Sequence, residues 1–127
     1  GLLVPVIRNA DRLSLAGLSG EARRLAAKAR EHGLDPSDFG DGSFTVSNLG
    51  AYGIRAGTPV LNPPESVLVF VGAVEDRPVV RDGAVVVRPM VTLSIAYDHR
   101  VADGAAAARL TRRIRELLEA PGAILFY

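Results

Sequence analysis

The chain has two histidines and no cysteine, so its proton transfer near neutral pH rests on two imidazoles, and any thiol chemistry must arrive on a substrate. The two imidazoles differ in context. His32 stands beside Gly33 at the expected end of a helix, where an imidazolium meets the negative end of the helix dipole, and a structural role accounts for it. His99 follows the strand-type run Val91 to Tyr97 and precedes a helix expected to start at Asp103-Gly104. Such a junction presents a reactive group from rigid elements to a cleft. Asp98 is adjacent and Asp103 lies four positions on. Taken alone, the simpler reading is that both carboxylates are caps, with Arg100 paired to one of them. Ser47 ends a short expected strand, where Ser47 and Asn48 have the simpler role of bonding local backbone. Ser47, His99 and Asp103 are the residue types of a hydrolytic triad. The Gly-x-Ser-x-Gly elbow is missing, because Thr45 and Leu49 stand where its glycines belong.

The elements that must position these residues can be read from periodicity. Leu2 to Ile7 is an apolar run broken only by Pro5 and predicts a buried strand with an edge or bulge position at the proline. From Ser14 as N-cap, Leu15, Leu18, Ala22, Leu25, Ala26 and Ala29 recur at three and four, predicting an amphipathic helix that ends near Gly33. Asp35-Pro36 predicts a further short turn with Phe39 packing the corner. Phe44 to Leu49 predicts a strand, Gly50 to Pro59 a loop, and Val67 to Val74 a central strand covered on both faces. Val79 to Arg81 and Ala84 to Arg88 flank Asp82-Gly83, a strong hairpin signal. In the last helix Leu110, Ile114, Leu117 and Leu118 form the apolar stripe, with Arg112, Arg113 and Arg115 on a solvated face, up to a stop at Pro121-Gly122. The apolar tail Ala123 to Tyr127 needs a partner surface.

Composition bounds the class. A length of 127 residues suits one domain or part of one, and 48% hydrophobic content excludes a disordered chain. A formal charge of +1 argues against a general nucleic-acid or membrane-surface binder, and no apolar run reaches the roughly 18 residues of a membrane span. Without cysteine there is no disulfide and no thiolate metal site. Gly1 opens directly on an apolar segment without a signal peptide, as expected of a piece of something longer.

The string Asp98-His99-Arg100-Val101-Ala102-Asp103-Gly104 resembles the signature of the dihydrolipoamide acyltransferases, the core components of 2-oxo acid dehydrogenase complexes. Gly1-Leu2-Leu3-Val4-Pro5-Val6-Ile7-Arg8, Phe44-Thr45-Val46-Ser47-Asn48-Leu49-Gly50 and Leu61-Asn62-Pro63-Pro64-Glu65 resemble that family's catalytic domain in the same order and spacing. The implied fold is an α/β (α+β) two-layer sandwich, chloramphenicol-acetyltransferase-like. Residues 1-127 would be its C-terminal part only, with no lipoyl or peripheral-subunit-binding domain present. Asp98-His99-Arg100 sides with the dihydrolipoamide branch, since the chloramphenicol branch has His-His at the first two positions. Ala102 departs from the larger aliphatic residue of the motif.

The resemblance implies a role for each motif residue. His99 would be the general base on an attacking thiol, Ser47 the hydroxyl that stabilises the oxyanion, and Asp103 mainly the structural partner that holds the histidine loop. In the chloramphenicol enzymes that partner is paired with an arginine from the N-terminal part of the fold. Coenzyme A and lipoamide would be substrates, with no metal. The lipoyl group would ride on a separate domain, since the sole lysine, Lys28, lies on a predicted helix between alanines and not at a hairpin tip. Expected partners are further copies in a homotrimer, with Ile124 to Tyr127 as an apolar knob toward a larger cubic or dodecahedral core. The lipoyl domain, the decarboxylase and the dihydrolipoamide dehydrogenase components complete the set, with no nucleic acid and no membrane. The implied location is cytoplasmic for a bacterial chain and the mitochondrial matrix for a eukaryotic one. The alternatives are a noncatalytic structural core subunit, which the presence of His99 opposes, and a chloramphenicol-acetyltransferase-like enzyme.

Overall fold

The computed structural model describes residues 2–126, with the side chains of Leu125 and Phe126 left aside. It divides into two compact units, Gly1–Gly42 with Pro121–Tyr127, and Ser43–Ala120.

In the first unit, helix α1 spans Leu15–Arg30, and Ser14 caps it by accepting the Gly17 N–H at 3.1 Å. Its end is a Schellman turn: Gly33 N–H donates to Lys28 O at 2.8 Å and His32 N–H to Ala29 O at 3.4 Å. His32, at φ 53°, and not Gly33, takes the left-handed position. Of the expected stripe only Leu25 is fully buried, while Leu15 stays 62% exposed. The predicted strand at Leu2 to Ile7 does not form. Pro5 lacks an N–H, Leu2 is 91% exposed, and the segment is held by one backbone bond, Val6 N–H to Asp38 O at 2.8 Å, so no row of ladder partners exists among the described residues. Pro121–Phe126 forms a short 3₁₀ helix. The expected knob, Ile124 to Tyr127, lies mostly outside the described residues: Ile124 is half-buried, but the side chains of Leu125 and Phe126 and all of Tyr127 fall beyond them.

The corner after α1 is built around a carboxylate and not around Phe39, which is only half-buried. Asp38 is buried in the 3₁₀ turn Pro36–Asp38 and accepts the Asp35 N–H at 2.9 Å. Lys28 Nζ reaches Asp35 Oδ2 at 2.6 Å and Asp38 Oδ2 at 2.7 Å, and Arg24 stands 3.7 Å from Asp38 Oδ1. Two carboxylates raise the Lys28 pKa, and the Lys28 hydrogen bond followed by the Asp35 N–H lowers that of Asp38.

The second unit carries strands β1 Thr45–Asn48, β2 Val67–Val71, β3 Glu75–Arg81, β4 Ala84–Met90 and β5 Leu93–Tyr97, then helix α2 Gly104–Glu119. A three-stranded sheet runs β1-β2-β5, with β1 parallel and β5 antiparallel to β2. The central place of β2 explains its unbroken apolar sequence: Leu68, Val69 and Phe70 form the core, with Phe70 only 5% exposed. β3 and β4 make the expected hairpin on Asp82-Gly83, both at positive φ, as a type I′ turn requires. The ribbon is longer than predicted and pairs Pro78 with Val87 and Pro89 with Asp76, which a two-stranded sheet tolerates because each strand is an edge. In α2, Leu110 and Leu118 remain exposed while Ile114 and Leu117 are half-buried.

β2 stops at Val71, three residues before its predicted end, because the chain there is crossed by backbone from the loop after β1. Gly72 N–H donates to Thr92 O at 3.0 Å and Ala73 N–H to Ile54 O at 2.8 Å. A Cβ on Gly72 would stand 2.0 Å from Arg55 O, and one on Gly50 would stand 2.4 Å from Gly72 O. Glycine is required at both positions because two main chains touch.

Two expectations follow. Gly72→Ala should lower the unfolding free energy by about 2 kcal/mol or more, the scale of overpacking against a backbone that cannot yield, measurable by urea denaturation. The Lys28–Asp38 cluster should give stability a two-sided pH dependence. The Asp38 part is present above its ordinary pKa of 3.8 and fades as pH falls through its lowered folded value, whereas the Lys28 part is present below 10.5 and fades as pH rises through its raised one. Thermal melts of Asp38→Asn across pH should show a lower Tm near neutrality and a flattened acid limb.

Candidate active site

The motif forms one turn in which the N–H groups of Asp98, Arg100, Val101 and Ala102 are all hydrogen-bonded. The ladder that pairs Val67 with Tyr97 continues one residue beyond β5, with Asp98 N–H donating to Ser66 O at 2.8 Å. The Asp98 carbonyl then accepts from Val101 N at 2.9 Å and Ala102 N at 3.0 Å, turning the chain back. Asp98 Oδ1 accepts from the Arg100 backbone N at 2.9 Å, and its two oxygens take Arg100 Nε and Nη2 at 3.0 and 2.7 Å. The Arg100 side chain, followed by its N–H, pulls the Asp98 pKa down to about 2. The stability this gives is therefore complete above pH 3.8 and is lost only as pH falls toward 2.

His99 sits between these two partners, exposed, and its ring makes no hydrogen bond or ion pair with any described residue. Asp103 is the N-cap of α2, accepting the Ala106 N–H at 2.7 Å, and no arginine pairs with it among the described residues. Its observed work is therefore to start the helix that closes the histidine turn. Tyr97, the last residue of β5, hydrogen-bonds through its hydroxyl to Ala107 O at 3.1 Å and to Thr111 Oγ1, so β5 and α2 are tied directly.

Ser47 lies on β1 and is half-buried. Strand alternation puts it on the face of Thr45, whose hydroxyl donates to Glu65. The local backbone bond expected of Ser47 or Asn48 is made by Asn48, which accepts the Gly50 N–H at 2.9 Å. The Ser47 hydroxyl has no partner among the described residues.

Sheet register separates the two candidates. Ser47 pairs with Phe70, and Phe70 with Ser94, so these three share one row. Asp98 lies four rows further along β5, beside Ser66. At about 3.3 Å per residue and about 4.8 Å between strands, Ser47 and the histidine turn are roughly 16 Å apart along the sheet surface. A hydrogen bond between Ser47 and His99 of the same chain is excluded, and with it the hydrolytic triad. The structure puts His99 on one turn with Asp98 and Asp103, without a bond from its ring to either, and leaves Ser47 elsewhere. The Tyr97–Thr111 tie and the Thr45–Glu65 bond were not read from sequence. The only signals for them are the positions of Tyr97 at a strand end and of Thr45 two residues before Ser47.

The sequence profile of the 2-oxoacid dehydrogenases acyltransferase catalytic domain matches residues 1–126. The dihydrolipoyllysine-residue succinyltransferase component of the 2-oxoglutarate dehydrogenase complex of Cupriavidus necator is 42% identical over 98% of this chain and 30% of its own length. The corresponding acetyltransferase component of the Bacillus subtilis pyruvate dehydrogenase complex is 43% identical over 98% of this chain and 28% of its own. Among solved structures, a crystallographic and enzymatic investigation of one serine, one histidine and one asparagine in the catalytic mechanism of Azotobacter vinelandii dihydrolipoamide acetyltransferase matches with TM-score 0.92 and 48% identity, over 98% of this chain and 51% of that one. The cubic core of a pyruvate dehydrogenase multienzyme complex matches with TM-score 0.92 and 47% identity over the same shares. The chain thus spans about half of the solved cores and under a third of the curated relatives. The small mixed α/β architecture and the profile match together show that the chain belongs to the catalytic-domain family of the 2-oxo acid dehydrogenase acyltransferases.

Proposed function

We propose that residues 1-127 are the C-terminal part of a chloramphenicol-acetyltransferase-like catalytic domain that moves an acyl group between dihydrolipoamide and coenzyme A. His99 takes the proton of the incoming thiol. The thiolate attacks the thioester carbonyl, and the charge that develops on its oxygen is met by the Ser47 hydroxyl. Collapse of the tetrahedral intermediate expels the second thiolate, which takes the proton back from His99, so no acyl-enzyme is needed and the absence of cysteine is no obstacle. Asp103 acts through the helix it caps.

The observation that carries this reading is that His99 is exposed on a rigid turn with its ring uncommitted. Sequence intervals support it: the serine and histidine named for the Azotobacter vinelandii enzyme are as far apart as Ser47 and His99, and the asparagine stands where Asp103 does, four residues after the histidine. Since Ser47 and His99 of one chain are too far apart to share a substrate carbonyl, the site is assembled between copies, His99 of one with Ser47 of the next, in a homotrimer. Larger cubic or dodecahedral assembly follows from trimers. Lys28, committed to Asp35 and Asp38, does not carry the lipoyl arm, which arrives on a separate domain and links this station to the decarboxylase and dihydrolipoamide dehydrogenase components. A relative of the 2-oxoglutarate complex and one of the pyruvate complex match almost equally, at 42% and 43%, so the acyl group is left as the variable of the assay. No described helix is long and apolar enough to cross a membrane.

Full-length protein with free dihydrolipoamide and a panel of acyl-coenzyme A thioesters should form acyl-dihydrolipoamide. His99→Ala should lower kcat by about 10² to 10⁴ and Ser47→Ala by about 10² to 10³. Co-expressing the two variants should restore part of the activity, because mixed assemblies contain boundaries where an intact His99 meets an intact Ser47. Undiminished transfer by His99→Ala would remove His99 as the base, no transfer by the wild-type protein with any donor would leave a noncatalytic core subunit as the better description, and no recovery on co-expression would overturn a site shared between copies.

A further inference from the structure

Among the polar side chains of the motif, His99 is the one with no hydrogen bond or ion pair to any described residue. Its position is therefore inherited from the backbone on either side. On one side that backbone is β5, ending at Tyr97, and on the other it is α2, starting at Gly104. Within the turn, the Asp98–Arg100 bonds are local, and Arg100 is largely exposed. They shape the bend but do not fix where it sits relative to the helix. The direct side-chain tie across the turn is at Tyr97. Its hydroxyl meets Ala107 O at 3.1 Å and Thr111 Oγ1, while Thr111 Oγ1 also bonds Ala107 O at 2.9 Å, closing a three-membered polar cluster between the end of β5 and α2.

We infer that Tyr97 and Thr111 are positioning residues for His99, a hydroxyl clasp that sets the distance between the end of β5 and the first turns of α2 and thereby aims the imidazole. The inference rests on the reading of His99 as the base. The geometry gives the clasp leverage: His99 is two residues from Tyr97, and the Tyr97–Ala107 bond spans ten residues of chain that contain the entire motif. A general base must hold its heavy atom within hydrogen-bond reach of the proton it removes, and misplacement by about 1 Å can cost up to about 10²-fold in rate. Binding of either thiol substrate draws nothing from the clasp, so its loss acts on turnover and not on saturation. Tyr97 touches no reacting atom in this scheme and is not itself catalytic.

The test uses the full-length protein in its native assembly, measured as acyl transfer from acyl-coenzyme A to dihydrolipoamide. Tyr97→Phe keeps the ring and removes the hydroxyl. Thr111→Val keeps the shape and removes the hydroxyl. Thr111→Ser restores it. Each hydroxyl-deleting variant should lose about tenfold in kcat with KM for both substrates within twofold of wild type. Thr111→Ser should keep at least half of the wild-type kcat, and the double variant should be no slower than the slower single, as expected of one shared cluster. Circular dichroism and size-exclusion profiles matching wild type separate this from loss of fold. A Tyr97→Phe enzyme with kcat within twofold of wild type overturns the clasp while leaving the transferase reading intact, and so does a loss that appears in KM or in the folded fraction. A wild-type protein inactive with every donor overturns the transferase reading itself.

Discussion

The direction in which β1 and β5 run beside β2 governs everything else in the second unit. One neighbour is parallel and the other antiparallel, so the strand carrying Ser47 and the strand leading to His99 traverse the same core in opposite senses. Ser47 falls in the row of Phe70, while the histidine turn leaves the sheet past Ser66. No side-chain rotamer can bridge that spacing, because it is fixed by backbone hydrogen bonds and by a core that buries Leu68, Val69 and Phe70. In the proposed reaction Ser47 and His99 of one copy therefore serve different sites, which makes self-association a requirement of that chemistry.

Around the histidine, the chain invests its polar interactions in backbone placement and leaves the ring itself free. Asp98 binds Arg100, Asp103 starts α2, and Tyr97 ties the strand to that helix. In the proposed reaction this imidazole receives and returns a proton within one turnover, and a strong bond to either nitrogen would favour one protonation state. The tight crossing at Gly50, Gly72 and Arg55 plays a comparable part at the far end of β2, where two main chains meet with no room for a side chain.

Much of this was legible in the sequence wherever local periodicity and topology agree. α1 with its Ser14 cap, the Asp82-Gly83 hairpin, β2 and the Asp103 cap follow from patterns within a few residues, and the structure has all four. The failures are instructive because they are nonlocal. Leu2 to Ile7 has strand composition, yet a strand exists only with a neighbour to bond, and none is present among the described residues. Phe39 was expected to fill a corner that Asp38 fills instead, since a buried carboxylate is affordable only where Lys28 and the Asp35 N–H converge on it, and that convergence spans a helix and a turn. Val67 to Val74 ended early at a crossing that depends on Arg55, seventeen positions away in the chain. The motif singled out His99 and carried the family resemblance, but the separation of Ser47 from it became visible only through register.

The Lys28 corner also bears on what the protein does not do. Activated acyl groups on sulfur react spontaneously with unprotonated amines, leaving an irreversible amide. Here the only lysine ammonium is clamped by Asp35 and Asp38, which hold it in the form without a lone pair. Fourteen arginines, too basic to deprotonate, supply the remaining side-chain cations apart from histidine. Within these 127 residues, the one side-chain amine is thus the one most firmly held as a cation.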